Sequence, residues 1–380
     1  MTASASGTYD VVVAGLGGMG SAAAAHLARR GVRVLGLDPN PPAHDQGASH
    51  GETRIVRQVY FEGAGYVPML LRSTELWGQL ERDAGVRLVT RCGALFLGDP
   101  HSRVFAGSLA TAEHWDLPHE QLGHVEIAER FPAFRPAEAV GGIYEASAGF
   151  TRPEHTVAAH LRLAAEAGAE LRHGEPLESW DETADGGVVV RTQAGSYSAG
   201  HLVVAPGRWA PELLAGHVSG VDVQPRTQHW FVPDGDSTRV RPDRMPAWVW
   251  EREDGTETYG APLAGPAEGG VKLAIHHCRT KAPAEFTVDE VRAAVEPVMP
   301  GVAHRHVRSV ACWYAMTPDE AFVLGAMPGS SGAVTVACGF SGHGFKFAPV
   351  IGEVLADLAT TGSSRFDLAM FDPLRPALAG

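Results

Sequence analysis

The segment Gly15-Leu16-Gly17-Gly18-Met19-Gly20 sets three glycines at the spacing Gly-x-Gly-x-x-Gly, and an acid, Asp38, follows 18 residues after the last of them. This combination suits a dinucleotide. Gly15 permits a tight turn, Gly17 lets the backbone approach a pyrophosphate, and Gly20 lets a helix pack closely on a strand. Gly18 and Met19 open that helix, whose free N–H groups attract phosphate. Asp38 can accept hydrogen bonds from both ribose hydroxyls and repels a 2′-phosphate, which disfavours NADP. The fingerprint alone fits NAD or FAD equally, or a glycine-rich turn that binds nothing.

Other reactive side chains stand far away in the chain. Arg54 and Arg57 are three apart. They share a face if the segment is helical and point to opposite sides if it is extended. A guanidinium takes a carboxylate through two parallel hydrogen bonds. Two solvated surface cations are the plainer reading, though the apolar neighbours Ile55 and Val56 argue against full exposure. Lys272 and His276 flank Leu273-Ala274-Ile275, which puts both on one face of a strand and turns His277 away. His276 reads equally well as a hydrogen-bonded structural residue. Cys312 is one of four cysteines, with Cys92, Cys278 and Cys338. Their spacing fits neither a zinc site nor a disulfide framework, and a buried inert thiol is the commonest fate of a lone cysteine. Gly342 and Gly344 mark a turn that opens a helix, where N–H groups can hold negative charge.

These groups need elements to hold them. Tyr9 to Ala14 is a valine-rich run of the kind buried on both faces of a parallel sheet. A helix follows from about Gly18 to Arg30, with Gly31 closing it, and Val32 to Leu37 is a second buried strand with Asp38 at its tip. Strand, glycine turn, helix, strand and acid therefore come in the order of a βαβ unit. Pro39 to Gly51 is loop. The spacing of Val67, Leu70, Leu71, Thr74, Trp77 and Leu80 predicts a helix over Pro68 to Asp83, ended by Gly85. Another helix starts near Pro153 and runs to Gly168. Gly93 to Leu97, Glu170 to Arg172, Val188 to Thr192 and Leu202 to Ala205 read as strands, with a turn at Ala194-Gly195. Val221 to Cys278 is mostly strand, Val288 to Met299 a helix, Val334 to Ala337 a last buried strand, and Pro349 to Leu358 a final helix.

Composition limits the partners. The net charge of −13, from 31 basic and 44 acidic residues, disfavours nucleic acid and anionic membranes without forbidding an anionic small substrate. No apolar run approaches the roughly 18 residues that span a bilayer. Met1 to Thr8 lacks the regions of a secretory signal and reads as a frayed tail. A reducing, cytoplasmic setting is expected.

The segments Ala311-Cys312-Trp313-Tyr314-Ala315-Met316-Thr317-Pro318-Asp319-Glu320, Gly339-Phe340-Ser341-Gly342-His343-Gly344-Phe345-Lys346-Phe347 and His50-Gly51-Glu52-Thr53-Arg54-Ile55-Val56-Arg57, taken with the fingerprint, closely resemble the monomeric sarcosine oxidase and N-methyltryptophan oxidase family. The resemblance runs from about Tyr9 to Leu378. It implies an α/β protein in which a Rossmann-type FAD-binding domain (residues 1–86, 150–220 and 310–380) is interleaved with a substrate domain (87–149 and 221–309) built on a large mixed β-sheet.

The resemblance also implies roles. Cys312 matches the cysteine joined through sulfur to the 8α-methyl of FAD. Ser49 and Arg54 lie against the cofactor, and Gly342, His343, Gly344 and Lys346 surround its pyrimidine end. Arg57 and Lys346 hold the substrate carboxylate. Lys272 sits over the flavin and serves the oxygen reaction, where an ammonium stabilises superoxide. Tyr259 and His276 complete the pocket, so catalysis falls to Lys272, His276, Arg54 and Tyr259. No metal is implied. The loop departs from the family pattern Gly-Ser-His-His-Gly-Asp-Thr-Arg: here it reads Gly47-Ala48-Ser49-His50-Gly51-Glu52-Thr53-Arg54, with a serine at the first histidine. The segment between Tyr259 and Lys272 is also slightly longer.

The expected activity is oxidation of N-substituted α-amino acids by oxygen, through an imine that hydrolyses to amine and aldehyde, with release of hydrogen peroxide. The enzyme is expected to be a monomer that needs only its amino-acid substrate and oxygen. Three alternatives remain at this point. One is a pathway-specific oxidase of a cyclic imino acid or larger N-alkyl amino acid, its pocket shaped by Trp248 and Trp250. The others are a NAD-dependent dehydrogenase and a non-catalytic FAD-binding subunit.

Overall fold

The computed structural model describes residues 5–278 and 285–379. Its first sheet is organised around the strand Ala5–Ala14, which pairs in parallel with Val34–Asp38 on one side and with Gly195–Val204 on the other. Val34–Asp38 pairs in turn with Glu170–His173. Gly195–Val204 is long enough to serve two partners. Its first half forms a hairpin with Val188–Thr192, and its second half pairs in parallel with Val334–Cys338. The helices Gly18–Arg29, Pro153–Glu166 and Ala348–Thr361 pack together over this sheet. Burial on both faces is why Val11 to Ala14 and Val34 to Leu37 are continuous apolar runs rather than alternating ones.

The second sheet has eight strands, in the order Arg305–Met316, Asp222–Val232, Val271–His277, Glu257–Ala261, Ala247–Glu251, Ala94–Gly98, Gly141–Glu145 and Glu120–Leu122. Neighbours are antiparallel except Ala247–Glu251 beside Ala94–Gly98, which makes the sheet mixed. The helix Val288–Val295 covers it, burying Val291 and Val295 against Leu273 and Ile275. A small antiparallel sheet of Arg54–Val56, Gly149–Thr151 and Val89–Arg91 completes the set.

Several boundaries differ from expectation. Of the stretch read as a tail, Met1 to Ser4 lie outside the described residues, but Ala5 to Thr8 are strand. Their partners Gly195 to Ser198 extend the parallel ladder beyond the apolar core, where composition gives no signal. Residues 32 and 33 precede the second strand, which takes in Asp38 as its last residue. The helix expected to reach Met299 stops at Val295, and single turns carry the chain to Met299. The closing helix continues past Leu358 to Thr361, where Gly362 ends it with φ +72°.

Candidate active site

The glycine loop is built as its spacing requires. Gly15 has φ +89°, and a Cβ there would lie 2.2 Å from the Ala205 carbonyl oxygen. At Gly20 a Cβ would lie 1.8 Å from the Gly15 oxygen, so this glycine is a packing residue behind the loop. Gly17 is different: the nearest atom to its Cβ position is Ser49 Oγ at 3.8 Å, and its open side faces a cavity. The helix Gly18–Arg29 has no acid in its first turn and no side-chain cap from Gly17, which leaves its positive end available to an anion. Gly18 N donates to Ser49 Oγ at 3.0 Å. Asp38 is already bonded to the backbone, accepting from Leu16 N at 2.7 Å and from Asn40 N at 2.8 Å. It thereby holds the loop while still lining the cavity.

That cavity, of about 530 Å³, runs from the glycine loop past Leu37, Leu177 and Trp209 to Cys312 and the turn at Gly342. The two ends are about three hundred positions apart in the chain. A largely apolar cleft with a phosphate-type cradle at one end fits FAD. Cys312 lies on the strand Arg305–Met316, within the second sheet, and is 1% exposed. Arg54 Nη2 donates to its sulfur at 3.3 Å and to the Ala48 carbonyl at 2.9 Å. Gly342 has φ +77°, and a Cβ there would overlap the Tyr314 ring at 2.3 Å. The turn is anchored from behind, because the Lys346 carbonyl accepts from Ser73 Oγ at 2.6 Å and from Trp77 Nε1 at 3.0 Å.

A second cavity, of about 80 Å³, shares Arg54, Tyr314, Gly342 and Phe345 with the first. Its other walls include Arg57, Glu62, Tyr259, Lys272, His276, His343 and Lys346. Arg54–Val56 is a strand, so the two arginines diverge: Arg54 reaches Cys312, and Arg57 reaches Glu62. Arg57 Nη2 donates to both Glu62 oxygens at 2.5 Å, and its guanidinium lies over the rings of Tyr60 at 4.3 Å and Phe61 at 4.5 Å. Burial alone would raise the Glu62 carboxyl, but the charges of Arg57, His343 and Lys346 bring it down to about 2. Lys346 Nζ donates to the His343 carbonyl at 2.6 Å. Burial, reinforced by Arg57, lowers its ammonium to about 7.

Lys272 and His276 share one face of Val271–His277, and both line this cavity. Lys272 Nζ donates to the Gly51 carbonyl at 3.2 Å and to the Thr53 carbonyl. Burial and then Arg54 push its ammonium well below the ordinary value. His276 Nδ1 is 3.2 Å from Tyr314 Oη, which is 3.4 Å from Tyr259 Oη. Burial holds His276 neutral, down at about 3, and raises the Tyr259 phenol.

The first cavity therefore collects Gly15, Gly17, Gly18, Met19, Asp38, Ser49, Arg54, Cys312, Gly342 and Gly344. His343 and Lys346, expected at the cofactor, line the second cavity instead. The side chains of Trp248 and Trp250 shape neither. Alternation along Ala247–Glu251 turns them into the core under the helix Val288–Val295, where Trp248 packs on Phe134, while Val249 between them faces the cavity. The sequence reading missed Glu62 and Tyr314. For Tyr314 a signal was present: it lies two residues past Cys312 on one strand, hence on the same face. Nothing local marks Glu62.

Comparison with known proteins decides between NAD and FAD. Residues 10–358 match the family model described as FAD dependent oxidoreductase. The chain belongs to this FAD dependent oxidoreductase family. It is 45% identical over 381 residues to a monomeric sarcosine oxidase of Streptomyces avermitilis, covering 98% of this chain and 99% of that one. It is 35% identical over 374 residues to an N-methyl-L-tryptophan oxidase of Salmonella heidelberg, covering 96% and 98% of the two chains. Among solved structures it is similar to NikD, an amino acid oxidase essential for nikkomycin biosynthesis, with a TM-score of 0.81 at 26% identity, covering 96% of this chain and 97% of that one. The mixed α/β architecture is that of FAD dependent oxidoreductases.

Proposed function

We propose that this FAD dependent oxidoreductase oxidises N-substituted α-amino acids, using molecular oxygen and releasing hydrogen peroxide. The observation that carries the reading is the shared wall. A cavity fit for FAD adjoins a smaller one that holds two cations, Arg57 and Lys346, suited to a carboxylate. The named activities of the two relatives, on sarcosine and on N-methyl-L-tryptophan, support the same class.

When bound, FAD supplies a two-electron acceptor for the carbon beside nitrogen and passes those electrons to oxygen. The chain does the rest. Arg57 and Lys346 orient the carboxylate. His276 is neutral and bonded to the Tyr314–Tyr259 pair, so it adds no positive charge that would oppose a substrate amine losing electrons. Loss of a hydride equivalent from the carbon leaves an iminium ion, which gives up its nitrogen proton to become the imine that water splits into amine and aldehyde. The oxygen role falls to the Lys272 ammonium, supported by its place on the wall of the second cavity, where a cation would stabilise the negative charge that develops on oxygen; oxygen takes two electrons and two protons to become hydrogen peroxide. Cys312 is the residue proposed to tether FAD through sulfur, supported by its burial at the far end of the cavity.

A volume of about 80 Å³ between Phe61 and Val249 favours small N-substituents over cyclic or bulky ones. No helix among the described residues is long and apolar enough to cross a membrane. A cytoplasmic setting is proposed, and a monomer is proposed to suffice. The test is anaerobic bleaching of the flavin with sarcosine, N-methyltryptophan, proline and pipecolate. Bleaching by an N-substituted amino acid, fastest for sarcosine, is expected. Bleaching only by amines without a carboxylate would overturn the reading.

A further inference from the structure

The turn Gly51–Thr53 is gripped from two sides by opposite charges. On one side, Lys272 Nζ draws in the carbonyls of Gly51 and Thr53. On the other, Gly51 N and Glu52 N both donate to Glu154 Oε1, at 2.6 and 3.1 Å. The turn is left-handed at both positions, with φ +90° at Gly51 and +61° at Glu52. For a non-glycine residue this conformation costs about 1 kcal/mol or more and persists only where its surroundings enforce it. Consecutive N–H groups in such a turn form a concave site for an anion, and Glu154 fills it.

We propose that Glu154 is a positioning residue for Lys272, acting through the Gly51–Thr53 turn. The inference rests on the oxygen role given to Lys272 above. Lysine carries its charge on a flexible four-carbon stem, so the place of its ammonium is set by what receives its hydrogen bonds. Here the receivers are two backbone carbonyls on a strained turn. Removing Glu154 strips two N–H groups of their acceptor, lets Glu52 leave the left-handed region, and swings the carbonyls away from Lys272.

Two further bonds reach the same carbonyls, Thr53 N to the Gly51 oxygen at 2.7 Å and Arg54 Nη1 to the Thr53 oxygen at 2.8 Å, but neither satisfies the N–H groups of Gly51 and Glu52. Glu52 Oε2 accepts from Trp230 Nε1 at 2.9 Å, and Glu52 also pairs with Arg308, which fixes the side chain but not the peptide planes. A Cβ at Gly51 would lie 2.3 Å from Gln228 Oε1, so the turn has no room on that side. Glu154 itself is the second residue of the helix Pro153–Glu166, where the helix dipole favours an anion. It therefore ties a helix of the first sheet to a lysine of the second. Its charge, with that of Glu52, also offsets part of the burial that depresses the Lys272 ammonium. The outer side of Glu154 borders an open cleft of about 370 Å³, so shortening its side chain leaves no sealed void.

The test compares Glu154→Ala and Glu154→Gln in the FAD-loaded protein, each also in a Lys272→Met background. Two kinds of readout are used: deuterium uptake of residues 48–56, and the rates of anaerobic reduction and of reoxidation by oxygen. For Glu154→Ala, faster uptake is expected, with reoxidation slowed about tenfold or more and reduction changed less than about threefold. Glu154→Gln, which keeps an acceptor oxygen, should recover reoxidation to within about threefold of wild type. In the Lys272→Met background, Glu154→Ala should add nothing. Unchanged uptake overturns the proposal, as does wild-type reoxidation in Glu154→Ala, equal slowing of both half-reactions, or slowing undiminished by Lys272→Met. If Lys272→Met alone reoxidises as wild type, the oxygen role of Lys272 falls, while deuterium uptake still judges whether Glu154 holds the turn.

Discussion

The Arg57 guanidinium and the Glu62 carboxylate meet at 2.5 Å with side chains only 3% and 7% exposed, inside the cavity proposed to receive a substrate carboxylate. A substrate must therefore displace an anion already in place. Removing one member of a buried ion pair typically costs about 3–5 kcal/mol, because the other charge is left uncompensated. Glu62→Gln should melt at a lower temperature than wild type and be rescued more strongly by a simple carboxylate such as propionate. Its affinity for that ligand should rise about fivefold or more. Thermal melts across a propionate titration check this, and equal affinities in the two proteins would show that Glu62 does not compete.

Lys346 gives carboxylate binding a pH dependence. Its ammonium is lowered to about 7 by burial and by Arg57. An anionic ligand favours the protonated form, so propionate affinity should be level below that value and weaken as pH rises through it, by at most about tenfold per unit. Lys346→Met should bind more weakly at low pH and lose the slope. A wild-type profile that is flat between pH 6 and 9 would remove Lys346 from carboxylate binding.

The Cys312 tether is open to a direct chemical test. Acid-precipitated wild-type protein should keep its yellow colour, and Cys312→Ala should release it to the supernatant. Arg54 donates to the same sulfur, so Arg54→Met is expected to lower the tethered fraction. Absorbance of pellet and supernatant reads both outcomes. Colour lost equally from wild type and Cys312→Ala would mean that no tether forms there.

Acid stability should depend on His160, which lies beside His26 between helices of the first sheet. Burial depresses both imidazoles, His26 to about 4 and His160 to about 3. His160 is 3% exposed, and its Nδ1 has no hydrogen-bond partner among the described residues. The ordinary histidine value is near 6.5. Between that value and about 4 the unfolded chain binds protons that the folded one refuses, so stability falls as pH drops through this window. His160→Leu should flatten the decline by up to one proton, about 1.4 kcal/mol per pH unit. Urea unfolding at pH 7, 6 and 5 measures the slope, and an unchanged slope would mean that His160 takes up a proton when folded.

The sequence by itself determined the features that depend on neighbours along the chain. Gly15, Gly17 and Gly20 with Asp38 announced the phosphate loop, because turn, helix start and strand tip follow one another within a single βαβ unit. Strand periodicity likewise put Lys272 and His276 on one face, and a helix opening at the Gly342 turn was legible from glycines and proline. The tertiary structure alone decided how distant segments meet. Whether Arg54 and Arg57 share a side hung on the strand formed with Gly149–Thr151. That strand sends Arg54 to Cys312, and leaves Arg57 to Glu62. Which face of Ala247–Glu251 meets the cavity was set by the helix Val288–Val295, which took the tryptophans into the core and left Val249 outside. The grip of Glu154 and Lys272 on one turn joins residues from two sheets, more than a hundred positions apart. Spacing records which side chains share a face of one element. Which charge a buried cation finds is decided only when sheets from separate stretches of chain close on each other and exclude the water that would otherwise have satisfied it.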